Sequence, residues 1–192
     1  MVNSARRRLS VEERLDQLVR VGVELIATQP WDLLTMMDIA AAANVSKPLL
    51  YHYFSTKRDL YVAAVGSAAE QLRHATRPDP TARNELQRSL EAHVDWIEAN
   101  ALGYRTVLQG GVSGDPEVQA IVEQSRAEVV DRIVRGMALQ RPPPALRIAL
   151  RGWVGFLEGA CLDWLRVGDI PKAQLVRLLA ASLPAAIAVA DR

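Results

Sequence analysis

The residues best suited to chemistry lie close together near the first quarter of the chain. Lys47, Tyr51 and His52 combine an ammonium, a phenol and an imidazole, and they stand between Ser46 and Tyr53. Such groups donate hydrogen bonds to phosphate oxygens and to the edges of bases. The segment therefore predicts contact with nucleic acid, provided that a rigid element presents these side chains on one face.

Other chemistry finds little support in the residues. Cys161 is the only cysteine, and the three histidines, His52, His74 and His93, are scattered. No metal-ligand spacing, phosphate-binding loop or nucleophile elbow occurs. A pairing of Cys161 with His93 stays open at this point, although a small apolar cysteine is usually core filler. We expect neither catalysis nor a cofactor.

Composition limits the class of protein. The chain has 192 residues, of which 49% are apolar, with 23 basic and 22 acidic side chains. This balance excludes a histone-like protein that binds DNA by charge alone. The apolar run 178–190 is interrupted by Ser182 and Pro184 and is shorter than the ~18–20 residues of a membrane span. We expect a cytoplasmic, bacterial protein that does not enter the membrane.

Capping patterns predict four helices in the first part of the chain. Each helix begins after a Ser or Thr, and an acidic residue follows three positions later in three of the four cases. The four caps are Ser10, Thr35, Ser46 and Thr56. Asn44 lies in the turn before the third helix, where it tolerates a left-handed backbone. The second and third helices together form a predicted helix-turn-helix.

Prolines divide the chain into two predicted units. Pro78 and Pro80 cannot continue a helix, so we place a boundary between residues 77 and 78. Five further helical patterns follow, and strand-like alternation is absent. The prediction is an all-α fold of about nine helices, with a three-helix head in 1–77 and a larger helical bundle in 78–192.

The helix-turn-helix segment resembles the DNA-binding signature of the tetracycline-repressor (TetR) family. The shared positions are Thr35, Ile39, Ala40, Val45, Ser46, Leu50, Tyr51, Tyr53, Phe54, Lys57 and Leu60. In the second unit, the resemblance concerns the helical layout alone. It implies a regulator that binds a double-stranded DNA operator as a homodimer.

The resemblance implies phosphate contacts at both ends of the motif. Thr35 and the helix that it begins would hold one phosphate, and Lys57 with its cap would hold another. Tyr53 would reach a phosphate through its hydroxyl, and Ser46 would cap the recognition helix beside the DNA backbone. An arm at Arg6–Arg8 either contacts DNA or is disordered.

Base reading would fall to the recognition helix. Lys47 can donate to guanine, Pro48 and Leu49 offer apolar contact to thymine methyls, and Tyr51 would contact the backbone or a methyl. His52 could donate to a phosphate or a base, or could simply be exposed. Phe54, in contrast, is predicted to be a core residue. Met37 lies where some relatives place a polar DNA contact, so direct reading from the preceding helix is not expected.

The resemblance also implies a small-molecule inducer that binds inside the larger unit. Large side chains and one histidine in an apolar stripe are the candidates for its lining. They are His93, Trp96, Tyr104, Trp153, Phe156 and Trp164. Such a lining suits a flat or lipophilic molecule. The alternative for each aromatic residue is ordinary core packing.

A dimer is predicted from the last two helices. The helix at 145–167 is apolar on two sides, and the Gly-x-x-x-Gly spacing creates a flat strip on it. The candidate interface residues are Gly155, Glu158, Gly159, Leu162, Leu179 and Leu183. Glu158 shares a face with Arg151 and could pair with a cationic ligand or with an arginine across the dimer. The alternative is a helix that is central in its own bundle.

Together these features predict a repressor that a small lipophilic or aromatic ligand releases from a pseudo-palindromic operator. The alternative is a helical ligand-binding or interaction protein that has lost specific DNA recognition. Retention of Thr35, Lys47, Tyr51 and Lys57 argues against that alternative.

Overall fold

The described residues of the computed structural model, 9–78, 84–109 and 114–190, form nine α-helices, one 3₁₀ turn at Trp31–Leu33 and no strand. The expected all-α fold is confirmed. The helices are α1 Val11–Thr28, α2 Met36–Ala42, α3 Lys47–Tyr53, α4 Lys57–Ala75, α5 Glu85–Ala99, α6 Ala101–Leu108, α7 Pro116–Gly136, α8 Pro144–Val167 and α9 Lys172–Ala190. The predicted arm at Arg6–Arg8 lies outside the described residues.

The predicted helix starts are confirmed. Ser10, Thr35 and Thr56 form capping boxes with an acidic residue three positions on, and the Ser46 hydroxyl oxygen accepts from the Leu49 amide. Asn44 adopts a left-handed backbone with φ 52°, which closes the tight turn between α2 and α3. These local bonds satisfy amides that a helix start leaves without partners.

The first core lies under the helix-turn-helix. Leu18 of α1, Ile39 of α2, Leu50 of α3 and Leu60 of α4 are fully buried in it. Val118 of α7 belongs to the same cluster, so a helix of the second predicted unit completes the core of the first. The orientation of the head is therefore fixed partly by α7.

The second core lies among α5 to α9. Its most buried members include Val94, Leu150, Cys161, Leu175 and Leu179. Among the described residues, α9 alone has the length and apolar composition of a membrane span. Its buried side chains are Leu175, Val176, Leu179 and Leu183, and the helix packs on α8 and α5.

Contact between α1 and α4 depends on a glycine. A Cβ on Gly22 would lie 3.0 Å from the Ala64 Cβ and 3.4 Å from the Leu60 Cδ1. Both neighbours are fully buried on α4 and have no space to move into. The two helices can therefore approach this closely only without a side chain at position 22.

We predict that Gly22→Ala lowers the free energy of unfolding by about 1–2 kcal/mol, because the cost of overpacking exceeds the gain in helix propensity. Denaturant unfolding followed by circular dichroism measures the change. The control is Gly66→Ala in α4, where a Cβ meets only Ile121 at 3.9 Å. The control should be neutral or stabilising by up to ~1 kcal/mol. Equal stability of the two variants would contradict the prediction.

Candidate nucleic-acid interface and ligand cavity

The outer face of α3 carries the residues that the sequence singled out. Lys47, Pro48, Tyr51 and His52 are exposed, whereas Leu50 on the opposite side is fully buried. The Lys47 Nζ lies 5.8 Å from the centre of the Tyr51 ring, so cation and ring share one surface. This helix presents a firmly anchored polar and aromatic face to solvent.

The flanks of α3 are less exposed. Leu49 and Tyr53 are half-buried, and the ring of Tyr53 meets that of His52 edge to face at 5.3 Å. Phe54 is buried in the head core, as predicted. Ser46 is exposed at the start of the helix and its hydroxyl oxygen is used as the cap.

Thr35 is exposed, but its hydroxyl is already engaged. It donates to the Asp38 Oδ2 at 2.6 Å, and its backbone amide donates to the same oxygen at 2.8 Å. These bonds hold the pKa of Asp38 below its usual value. A phosphate at this position would therefore meet the first-turn amides of α2 rather than the threonine hydroxyl. Met37 is exposed beside it.

Lys57 departs from its expected role. Its Nζ donates to the backbone carbonyls of Leu34 at 2.9 Å, Trp31 at 3.2 Å and Asp32 at 3.3 Å. An ammonium has three donors, and all three are used. The predicted phosphate contact is corrected: Lys57 fixes the 3₁₀ turn that leads into α2. The sequence could not show this, because the acceptors are backbone carbonyls distant along the chain.

Arg58 is a connecting residue that the sequence reading missed. Its guanidinium donates to both carboxylate oxygens of Asp115, at 2.6 and 2.9 Å, and to the Glu117 Oε1 at 2.9 Å. Asp115 also caps α7 by accepting from the amides of Glu117 and Val118. This arginine lowers the pKa of Asp115. The start of α4 is thus tied to the start of α7.

A cavity of about 210 Å³ lies between the head and the bundle. Its walls come from α1, α4, α5, α6, α7 and α8, and most of its lining is apolar. Val23 and Ile26 of α1 contribute, as do Ala68 and Leu72 of α4. A molecule in this cavity would touch the same two helices that support the helix-turn-helix.

Four of the six predicted ligand residues line this cavity: His93, Trp96, Tyr104 and Trp153. A hydrogen bond to α9 also fixes the ring of Trp153, because its Nε1 donates to the Ser182 hydroxyl at 2.9 Å. His93 and Tyr104 meet edge to face, with ring centres 6.2 Å apart. Helices α5, α6 and α8 thus bring together residues that are far apart in the chain.

The other two predictions are wrong for this cavity. Phe156 is 43% exposed on the outer side of α8, and Trp164 donates its Nε1 to the Ile170 carbonyl at 2.9 Å in the turn before α9. Neither residue is part of the lining. The helix α8 is apolar on both sides, so the sequence pattern alone could not tell its inner side from its outer side.

Charged groups in the cavity are paired within the chain. Arg126 of α7 binds Glu158 of α8 through two bonds, Nε to Oε1 at 2.8 Å and Nη2 to Oε2 at 2.7 Å. Arg151, which shares a face of α8 with Glu158, pairs with Glu123. Glu158 is therefore corrected from a dimer-interface residue to part of an internal ion pair, which the sequence reading missed because its partner lies on another helix.

The predicted dimer residues separate into two groups. Gly155 and Gly159 are exposed on α8, and a Cβ on either would meet nothing within 4 Å. Leu162 is half-buried. Leu179 and Leu183, in contrast, are buried in the core of their own chain and cannot form an interface. The exposed apolar residues of α9 are on its other side, where Leu178 is 49% exposed.

Two family models match the chain. The model described as "Bacterial regulatory proteins, tetR family" covers residues 18–64, which include the helix-turn-helix. The model described as "Tetracyclin repressor-like, C-terminal domain" covers residues 82–185, which is more than half of the chain. The two matches together include both predicted units.

Relatives agree with these matches. The transcriptional activator FasR of Mycolicibacterium smegmatis is 32% identical over 130 residues, which span 66% of this chain and 59% of FasR. The transcriptional regulator BetI of Stenotrophomonas maltophilia is 24% identical over 87% of this chain and 89% of its own length. These relatives are regulators and not enzymes.

A solved structure supports the assignment over almost the whole chain. A TetR-family transcriptional regulator from Streptomyces coelicolor superposes with a TM-score of 0.88 and 30% identity, over 95% of this chain and 83% of that one. With the family matches at both units, the chain belongs to the TetR family of bacterial transcriptional regulators.

Proposed function

We propose that the protein is a homodimer that binds a pseudo-palindromic DNA operator in the bacterial cytoplasm and changes its affinity when a small molecule enters the cavity. The observation that carries this proposal is the exposed face of α3, with Lys47, Tyr51 and His52 displayed above a buried anchor at Leu50. A helix so anchored fits the major groove, which is about 12 Å wide.

The side chains of α3 divide into base contacts and backbone contacts. Lys47 is the proposed donor to guanine, and Pro48 with the Tyr51 ring offers an apolar surface to thymine methyls. Tyr53, His52 and the amides at the starts of α2 and α3 are the proposed phosphate contacts, with Thr35 and Ser46 as the caps that orient them. Met37 cannot donate a hydrogen bond, so specificity depends mainly on α3.

The outer sides of α8 and α9 are the proposed dimer interface. On α8, an exposed stripe includes Ile148, Gly155, Phe156 and Gly159, and Leu178 is exposed on α9. An apolar surface rimmed by charged residues is typical of a protein–protein interface. A two-fold dimer places two recognition helices about one DNA turn apart, which requires a pseudo-palindromic site.

The cavity is the proposed site of control. Gly103 of α6 packs on Ile26 of α1 so closely that a Cβ would lie 2.9 Å from the Ile26 Cγ2. A ligand that moves α6 therefore also moves α1. The hydrogen bonds between Arg58 of α4 and Asp115 at the start of α7 couple a movement of α7 to α4 in the same way. Ligand affects DNA binding only if it favours one arrangement of these helices over another.

We propose repression as the outcome, with ligand releasing the DNA. FasR, however, is an activator. The position of the operator relative to the promoter decides whether a bound regulator represses or activates transcription. Transcription in vitro from the promoter beside the gene, with and without the protein, separates the two. A protein that is folded and dimeric but does not shift that DNA at low salt would instead support a ligand-binding protein without DNA recognition.

Lys47→Ala tests the proposed base contact. We expect operator affinity to fall by roughly 1–3 kcal/mol and base preference at one position to relax. Selection from random DNA with the wild type supplies the operator, and gel shifts on single-base variants measure preference. The control Arg141→Ala removes an exposed cation from the segment between α7 and α8 and should change neither quantity. If Lys47→Ala keeps the full base preference, Lys47 does not read bases.

Lys57→Met tests the corrected role of that lysine. Loss of three bonds to carbonyls should lower the free energy of unfolding by about 1–3 kcal/mol and weaken binding to all DNA sequences. The dependence of affinity on salt should stay unchanged, because the ammonium neutralises no phosphate. A salt slope reduced by about 1 would instead establish a phosphate contact.

Phe156→Glu and Leu178→Glu test the dimer interface. Each variant places a charge in the proposed apolar contact, so we expect a monomer by light scattering after gel filtration and weaker binding to the palindrome. The matched control is Val11→Glu, which changes an exposed apolar residue of α1. Dimeric mass in both test variants would remove α8 and α9 from the interface.

A further inference from the structure

Two side chains in the cavity carry polar atoms without a hydrogen-bond partner. The His93 Nε2 and the Tyr104 Oη are both buried, and no described group pairs with either. Both residues line the cavity, from α5 and α6, and their rings are edge-to-face neighbours. Buried polar atoms are nearly always satisfied, so two unpaired atoms on neighbouring residues that line one cavity indicate a partner that is not part of the chain.

Tyr61 provides an internal comparison. Its hydroxyl is also buried without a partner, but it belongs to the head core, where its ring packs on Trp31 at 5.2 Å. Tyr61 is not part of the cavity lining. A buried tyrosine hydroxyl without a partner therefore does not by itself mark a binding site. At Tyr104, the evidence for a site is the unpaired His93 Nε2 beside it and the cavity that both residues line.

Three charged residues line the cavity: Arg126, Glu158 and Arg132. Arg126 and Glu158 neutralise each other through paired bonds. Arg132 donates to the carbonyl and hydroxyl of Thr76 at the end of α4. Burial lowers the pKa of Arg132, and the nearby cations of Arg135 and Arg73 act in the same direction, against the carboxylates of Glu128 and Glu85. Because burial already disfavours the charge of Arg132, a charged ligand would lose its hydration in surroundings that stabilise charge poorly.

The imidazole of His93 is itself uncharged at neutral pH. Burial, with the nearby cation of Arg132, lowers the pKa of His93 to about 4. A neutral imidazole offers either a donor or an acceptor at Nε2, according to tautomer, and the Tyr104 hydroxyl can act as both. The pair can therefore bind a carbonyl, which only accepts, or a hydroxyl, which also donates.

We propose that the cavity binds an uncharged, mostly apolar molecule whose single oxygen group, a carbonyl or a hydroxyl, pairs with His93 and Tyr104. This inference rests on the proposed control of DNA binding by the cavity and adds the chemical class of the ligand. The volume of about 210 Å³ is many times the ~10–15 Å³ that one water needs, so an aliphatic chain or a small ring system fits.

The test uses three probes of equal chain length on the purified full chain at pH 7.5: 1-decanol, methyl decanoate and decanoate. Trp96 and Trp153 line the cavity, so a change in the intensity or wavelength of tryptophan emission reports binding. We expect both uncharged probes to bind and decanoate to bind at least about tenfold more weakly, because its carboxylate must be desolvated. Decanoate binding as tightly as 1-decanol overturns the inference.

Two variants test whether the oxygen group of the ligand binds beside Tyr104. Tyr104→Phe removes one hydroxyl without changing the shape of the ring, so 1-decanol should bind about two- to tenfold more weakly. The ligand-free Tm should be unchanged or raised, because an unpaired polar atom is lost. Tyr61→Phe makes the same chemical change outside the cavity and should leave binding unchanged. If Tyr104→Phe and the wild type bind 1-decanol with equal affinity, the oxygen group of the ligand does not pair with Tyr104 and the inference is overturned.

The binding measurements contain no DNA, which separates this inference from the proposed function. If the probes and variants behave as expected but DNA affinity does not respond to any probe, the ligand chemistry is supported and control by the cavity is overturned. If DNA binding responds to decanoate alone, the ligand chemistry is overturned and control by the cavity is supported.

Discussion

The position of α4 is the constraint on which the rest of the structure depends. This helix is packed on α1 through the gap left by Gly22 and on α7 in the same core. Its first residues, Lys57 and Arg58, bind the turn before α2 and the start of α7 respectively. Because α4 is held on both sides, the DNA-binding head and the bundle cannot move independently of each other.

The cavity follows from this arrangement. Where α1, α4, α5 and α7 diverge, small residues such as Ala27, Ala68 and Ala69 leave space that the larger residues of the bundle do not fill. Packed interiors rarely tolerate such gaps, since each one forfeits dispersion contacts. The gap lies where the helices of the head meet those of the bundle, so its occupancy bears on how the two are oriented.

Interactions between residues that are close in the sequence could be predicted, and interactions between different helices could not. Caps at Ser10, Thr35 and Thr56 and the left-handed Asn44 depend on neighbours within a few residues, so their patterns are visible in the chain itself. The role of Lys57 depends on carbonyls on another element, and Glu158 on an arginine of another helix. Phe156 and Leu179 show a third limit: a helix apolar on two sides does not reveal which side its own chain covers.

The orphan atoms of His93 and Tyr104 connect stability with control. An unmet polar atom in the interior makes the ligand-free protein less stable than its contacts alone would allow. A ligand that satisfies both atoms stabilises the arrangement that it fits in proportion to its concentration and affinity. It can alter DNA affinity only by the difference between its affinities for the two arrangements of α1 and α4. The cavity wall is built partly from α1 and α4. The contacts that make a ligand bind tightly therefore also determine which arrangement of these two helices it favours.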